Sequence, residues 1–198
     1  MNSDAMHIKR IDEMHIYNSN GMLVAQSRKH LMDIIEDRIG RDGVECDLND
    51  IDVSRVTDMS QLFQYSEFNG DISKWDVSKV TNMSWMFRES AFDGDISEWN
   101  VGNVRDMMCM FRYSKFNGDI SKWNVKNVLS MGYMFKYSDF NGDISEWDVS
   151  KVDEMQYMFA NSKFNGDISN WNTKNCNFMG HMFDNSPLED NPPAWYKK

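Results

Sequence analysis

Trp75, Trp99, Trp123, Trp147 and Trp171 stand 24 residues apart, each inside a near-copy of the string FNGDISKWDVSKVTNMSWMF. A strict period of that length means one supersecondary unit repeated along the chain, each copy resting on its neighbours. Function in such a chain is expected on a built surface rather than in a single catalytic cleft.

Aligned at this period, the apolar positions of one unit are Phe68, Ile72, Trp75, Val77, Val80, Met83, Met86 and Phe87. The next three units repeat them closely. The first unit varies them as Val44, Leu48, Ile51, Val53, Val56, Met59, Leu62 and Phe63, and the last has Thr173 and Cys176 at its valine positions. Divergent end units suit a stack, because each has only one neighbour. Ile72-x-x-Trp75-x-Val77 matches the spacing of a leucine-rich-repeat strand, preceded by the turn tripeptide Asn69-Gly70-Asp71. Met83, Met86 and Phe87 then lie at i, i+3 and i+4, which predicts a short helix that Thr81 caps. The expected fold is therefore an α/β repeat solenoid of leucine-rich-repeat type, one short parallel strand and one short helix per unit, with methionine columns from Met59 to Met179 and from Met86 to Met182 in its core.

The repeats occupy residues 44–187. Residues 1–43 are expected to form an N-terminal lid, in which Met14–Asn18 and Met22–Gln26 flank the turn Ser19-Asn20-Gly21 as a hairpin. A helix follows, capped by Ser27, with Leu31, Ile34, Ile35 and Ile39 on one face and Gly40 at its end. Subtracting 24 from Met59 and Phe63 gives Ile35 and Ile39, so the helix falls in register with the repeats. Residues 188–198 keep the phase through Leu188 and Trp195, while Pro187, Pro192 and Pro193 stop further regular structure, which predicts a C-terminal lid.

The net charge is −10, but residues 44–67 carry −5 and residues 140–163 carry −3, whereas 68–139 are neutral. No basic stripe of the kind direct nucleic-acid binding needs is present. Cys46, Cys109 and Cys176 are widely spaced and form neither a disulfide framework nor a zinc pattern. The opening MNSDAMHIKRIDEMHIY lacks the apolar core of a secretory signal, and no stretch reaches the length of a membrane span. As it stands the chain is expected in the cytoplasm, with a surface or secreted location open if a signal has been removed.

The units FNGDISKWDVSKVTNMSWMF, FDGDISEWNVGNVRDMMCMF and FNGDISEWDVSKVDEMQYMF resemble the leucine-rich-like repeats of BspA-type bacterial surface proteins and mycoplasma lipoproteins, over about residues 44–187. DLNDIDVSRVTDMSQLF is similar to their entry repeat. The resemblance implies a non-enzymatic scaffold for adhesion or protein–protein contact and supplies no catalytic residue. The chain has no HExxH, no GxSxG, no phosphate-cradling glycine loop and no dinucleotide fingerprint. His7, His15 and His30 lie in the lid, away from His181, and no spacing links them to a nucleophile. No enzyme activity and no cofactor are expected.

Taking the segment after Val80 as a helix, Met83, Met86 and Phe87 point inward while Trp85, Arg88 and Glu89 point outward. Trp85 shares its column with Gln61, Cys109, Tyr133, Tyr157 and His181. Arg88 shares one with Gln64, Arg112, Lys136, Ala160 and Asp184, and Glu89 with Tyr65, Tyr113, Tyr137, Asn161 and Asn185. Aromatic rings beside cations are the side chains enriched at interfaces. Trp85, Arg88, Arg112, Tyr113, Tyr133, Lys136, Tyr137, Tyr157 and His181 are thus the candidate binding residues for an unidentified protein partner; rings that merely cover neighbouring units are the alternative.

On the Trp face, Lys74, Glu98, Lys122, Glu146 and Asn170 alternate in charge, as a stacking device would, and Asp76, Asn100, Asn124, Asp148 and Asn172 form a second polar column. Asp71, Asp95, Asp119, Asp143 and Asp167 are expected to accept backbone N–H bonds in their own turns; shared calcium is the alternative, although only Asp93 adds a second carboxylate there. The other functional reading is an acidic inhibitor or nucleic-acid mimic that fills a basic cleft, built on Glu45, Asp47, Asp50, Asp52, Asp58 and Glu67.

Overall fold

The computed structural model describes residues 16–197. His7, His15 and the Met14 end of the expected hairpin lie outside them. Equivalent residues of successive units lie side by side: Asp58 pairs with Asn82, Asn82 with Asp106, Asp106 with Ser130, Ser130 with Glu154 and Glu154 with Phe178, all in parallel. Over the ribbon that follows each bridge, the inter-unit hydrogen bonds run one way. The N–H groups of Met83, Trp85, Phe87 and Glu89 donate to the carbonyls of Asp106, Met108, Met110 and Arg112 in the following unit, at 2.8–2.9 Å. The same bonds recur at every interface down to Asn161, which donates to Asp184 at 2.7 Å.

The helix expected over Met83–Phe87 does not form. Its residues make a ribbon of overlapping turns, in which Met86 N–H returns to the Met83 carbonyl at 3.3 Å and Arg88 N–H to that of Trp85 at 3.2 Å. Alternate N–H groups leave the unit instead of returning to residue i−4. A helix of one turn nucleates at a loss, whereas a neighbouring unit already holds acceptors in place. The ribbon uses left-handed backbone at two positions per unit, four residues apart, φ 63° at Trp85 and φ 52° at Glu89. Thr81 caps no helix; its hydroxyl donates to the Thr57 carbonyl at 3.2 Å.

Nor is there a strand at Ile72–Val77. Trp75 N–H bonds the Ile72 carbonyl, Val77 N–H that of Trp75 and Val80 N–H that of Val77, so the chain bends twice within this segment and again just after it. Asp71 Oδ1 accepts the Ser73 N–H at 2.9 Å and Asp76 Oδ1 the Ser78 N–H at 3.1 Å, which sets the bends as Asx-turns. The tryptophans tie units together through their indoles: Trp75 Nε1 donates to the Leu48 carbonyl at 2.9 Å, and Trp99, Trp123, Trp147 and Trp171 donate to Ile72, Ile96, Ile120 and Ile144 at 3.0–3.2 Å. In the Asn-Gly-Asp turn a Cβ at Gly118 would lie 2.9 Å from the ring of Phe116. Glycine there makes room for the core ring.

The inward columns are buried as their spacing requires, with Phe68, Met83, Met86 and Phe87 at 0% exposure. Their rings stack from unit to unit, for example Phe87 on Phe111 at 5.6 Å, and interleave with the second phenylalanine column, Phe111 against Phe116 at 4.4 Å.

At the N-terminal end β1 (Leu23–Val24) pairs in parallel with β2 (Ile51–Asp52), and Tyr17 bridges Leu23 antiparallel across the turn at 19–21. Helix α1 (Arg28–Asp42) starts at Ser27, whose side chain accepts the His30 N–H. It runs through Gly40 and stops at Gly43, where φ is 90°. Leu31, Ile34 and Ile35 are buried against the first unit, and Arg28 Nε donates to the Ser60 carbonyl at 2.5 Å. A cation thus meets the end of the ribbon at which carbonyls face outward. At the far end Trp195 stacks on Trp171 at 6.2 Å and its indole donates to the Ile168 carbonyl at 2.8 Å, which keeps the phase.

Candidate functional site

The ribbon places the outward residues in three columns along one face. Both outer columns sit on left-handed backbone: Gln61, Trp85, Cys109, Tyr133, Tyr157 and His181 have φ between 55° and 63°, and Tyr65, Glu89, Tyr113, Tyr137, Asn161 and Asn185 between 52° and 60°. A non-glycine residue in this region costs roughly 1–2 kcal/mol. It is retained because the inter-unit bonds require it.

Between these columns run Arg88, Arg112 and Lys136. The Arg88 guanidinium lies 4.9 Å from the Trp85 ring and 5.0 Å from that of Tyr65. Arg112 lies 5.2 Å from Tyr113 and 5.6 Å from Tyr133. Lys136 lies 5.4 Å from Tyr133, 5.5 Å from Tyr137 and 4.3 Å from Tyr157. The rings also stack along the columns: Tyr113 on Tyr137 at 4.4 Å, Tyr133 on Tyr157 at 5.0 Å and Tyr157 on His181 at 4.8 Å. All nine candidate residues therefore share one face, as the column register requires.

The face divides by exposure. Trp85, Arg88, Arg112, Tyr133, Lys136 and Tyr157 are half-buried and rest on one another, whereas Tyr113, Tyr137 and His181 are exposed. Tyr65 is exposed at 59% and belongs to the face through the Arg88 guanidinium, which bonds its hydroxyl. Sequence reading placed Tyr65 in the right column but not among the binding residues; a cation at the next unit's middle position was the signal. Cys109, buried at 1%, is the small member of its ring column and lies against Arg112. Burial pushes its thiol pKa up, and burial raises that of Tyr133 as well.

Arg88 is neutralised by Glu89 at 2.8 Å, and His181 Nδ1 meets Asp184 at 2.8 Å. Among the described residues Arg112 and Lys136 form no ion pair, and Nε of both arginines is buried without a hydrogen-bond partner. Cation–ring contacts of this kind are worth about 0.5–2 kcal/mol each. The arrangement fixes two unpaired cations and a row of phenol edges on a rigid backbone, which suits it to meet acceptor groups of a partner.

The remaining candidates have local duties. Asp71, Asp95, Asp119, Asp143 and Asp167 each accept the N–H two residues on at 2.9 Å, and those backbone bonds hold their carboxyls below the usual range. Asp76, Asn100, Asn124, Asp148 and Asn172 bond their own turns at 3.1–3.4 Å. In the alternating column Lys122 reaches Glu98 at 3.3 Å. Much of the acidic cluster near the first unit is engaged: Asp50 with Arg38, Asp52 with Asn18 and Ser54, Asp47 with Asn49, and Asp58 with Ser60. Glu45, Asp47, Asp50 and Glu67 of this cluster are exposed.

No helix among the described residues is long and apolar enough to cross a membrane. A family model described as "Mycoplasma protein of unknown function, DUF285" matches residues 39–139 and 114–195. Neither a curated protein nor a solved structure matches the chain.

Proposed function

Since the chain belongs to the Mycoplasma protein family of unknown function DUF285, we propose that it is a non-enzymatic interaction scaffold, a single solenoid whose ribbon face holds a protein partner. The observation that carries this reading is the row Tyr65, Tyr113 and Tyr137, exposed at 59%, 42% and 42%, beside Arg112 and Lys136, which form no ion pair among the described residues. Rigid aromatic rings next to cations give large contact area at little entropic cost. Both columns are held by inter-unit bonds, so the surface is ordered before a partner arrives.

The half-buried rings Trp85, Tyr133 and Tyr157 serve this surface from beneath, by stacking and by holding the cations. The recognition residues proper are Tyr113, Lys136 and Tyr137, flanked by Tyr65, Arg112 and His181. Replacing Tyr113, Lys136 and Tyr137 together by alanine is expected to abolish capture of the partner while far-UV circular dichroism stays unchanged. Contacts dominated by rings keep most of their strength in added salt, since the Debye length falls to about 3 Å at 1 M. Undiminished capture by the folded triple variant excludes this face.

A further inference from the structure

The last unit is completed along one half of its outer edge and open along the other. At earlier interfaces the first ribbon N–H donates onward, Met83 to Asp106, Met107 to Ser130, Met131 to Glu154 and Met155 to Phe178, at 2.7–3.0 Å. The carbonyls of Thr81, Arg105, Leu129 and Asp153 accept in return from the following unit. Their equivalents in the last unit are the Met179 N–H and the Asn177 carbonyl, and among the described residues neither has a partner. Farther along, the tail takes over. Glu189 accepts the Asn185 N–H at 2.8 Å, and the Tyr196 ring packs edge-on against Phe183 at 5.0 Å.

Beside the open half lies a cavity of about 620 Å³ between Trp171 and Trp195, lined by Thr173, Cys176 and Met179 with Lys174 and Lys197 at its sides. In the unit before, the positions equivalent to Thr173, Cys176 and Met179 are Val149, Val152 and Met155, exposed at 1%, 1% and 0%. The cavity is thus the mould of one further Val-x-x-Val-x-x-Met segment. Neither Lys174 nor Lys197 forms an ion pair among the described residues, in a chain of net charge −10.

We propose that this end is a second binding site, distinct from the ribbon face, which takes a turn-forming apolar and acidic segment of a partner protein by main-chain addition. The segment lies parallel to Asn177–Met179, opposite Phe178. Its backbone bonds the Asn177 carbonyl and the Met179 N–H, two apolar side chains and a methionine fill the cavity, and its carboxylates meet Lys174 and Lys197. Ladder addition supplies the affinity and the cavity the specificity.

The probe is a fluorescently labelled synthetic peptide with the sequence of residues 147–158, WDVSKVDEMQYM, whose Asp148, Asp153 and Glu154 outweigh Lys151. Titrated against the whole protein, its anisotropy is expected to saturate. Cys176→Arg, which fills the cavity, weakens binding by about tenfold or more. Lys174→Glu, at an exposed position that leaves the fold alone, weakens it by about threefold or more. The same peptide with aspartate at both valine positions does not bind. No saturable binding to the unsubstituted protein overturns the proposal, as does binding that both variants leave unchanged or that the aspartate peptide reproduces.

Discussion

Replacing Trp123 by phenylalanine separates the two things each tryptophan does. Trp123 is 3% exposed, and its indole N–H donates to the Ile96 carbonyl of the preceding unit at 3.0 Å. Phenylalanine keeps a ring in the column but removes that donor and the fused five-membered ring. The Ile96 carbonyl retains the Trp99 N–H at 3.2 Å, so it is not orphaned, and the lost bond costs about 1 kcal/mol. The missing volume, roughly 40 Å³ at about 24 cal/mol per Å³, adds about 1 kcal/mol. The expected loss is therefore about 2 kcal/mol. Trp195 makes the same bond at 2.8 Å but is only partly buried beside the open cavity. There the surroundings relax into solvent, and Trp195→Phe should cost about 1 kcal/mol or less. Urea unfolding followed by circular dichroism measures both, with an unchanged m-value as the check that only stability has moved. A loss at Trp123 below about 0.5 kcal/mol, or equal losses at the two sites, would refute the role given to the indole ladder.

Left-handed backbone at Glu89, φ 52°, predicts that Glu89→Asn is neutral or stabilising whereas Glu89→Val costs roughly 1–2 kcal/mol in thermal unfolding; indistinguishable variants would contradict that backbone. Burial pushes the Asp106 carboxyl up, while Asn82 makes the same turn bond one unit earlier. Asp106→Asn should therefore stabilise at neutral pH by on the order of 0.5 kcal/mol, after discounting for the exposed half of the group. A raised carboxyl favours the folded state once protonated, so this gain should vanish as pH falls below about 4. The depressed carboxyls of Asp71, Asp95, Asp119, Asp143 and Asp167 act in the opposite sense: their contribution is present above an unfolded pKa of about 3.9 and is lost as pH falls through their lower folded values. Stability should hold between about pH 5 and 7 and drop below about pH 4, by a smaller step in Asp119→Asn; a step as large as that of the unsubstituted protein would contradict the turn assignment.

The inward columns were legible because burial follows spacing, and Met83, Met86 and Phe87 face inward in a helix and in a ribbon of turns alike. The same ambiguity hid the ribbon. A helix and this ribbon differ in where alternate N–H groups go, which depends on a neighbouring unit that local periodicity does not contain. Nothing in the propensity of tryptophan or tyrosine selects φ near 60° at Trp85 or Tyr133; Asn161, His181 and Asn185, residue types that tolerate left-handed backbone, were the local hint. The Ile72–Val77 spacing suggested a strand, but Asp71 and Asp76 turn the chain twice within it. The candidate face was legible as columns, because a fixed period assigns neighbours without a structure. Its division into exposed Tyr113 and Tyr137 and half-buried Tyr133 and Tyr157 was not, since both columns point outward and the same cations, Arg112 and Lys136, lie over rings of both.

Native-state hydrogen exchange at five equivalent methionine amides tests most directly the claim that the period builds one continuous ladder in which each ribbon donates to the next unit. Met83, Met107, Met131 and Met155 each donate to the next unit, and Met179 has no acceptor among the described residues. The account predicts strong protection at the first four and near-intrinsic exchange at Met179. Comparable rates at all five, protected or not, would contradict it.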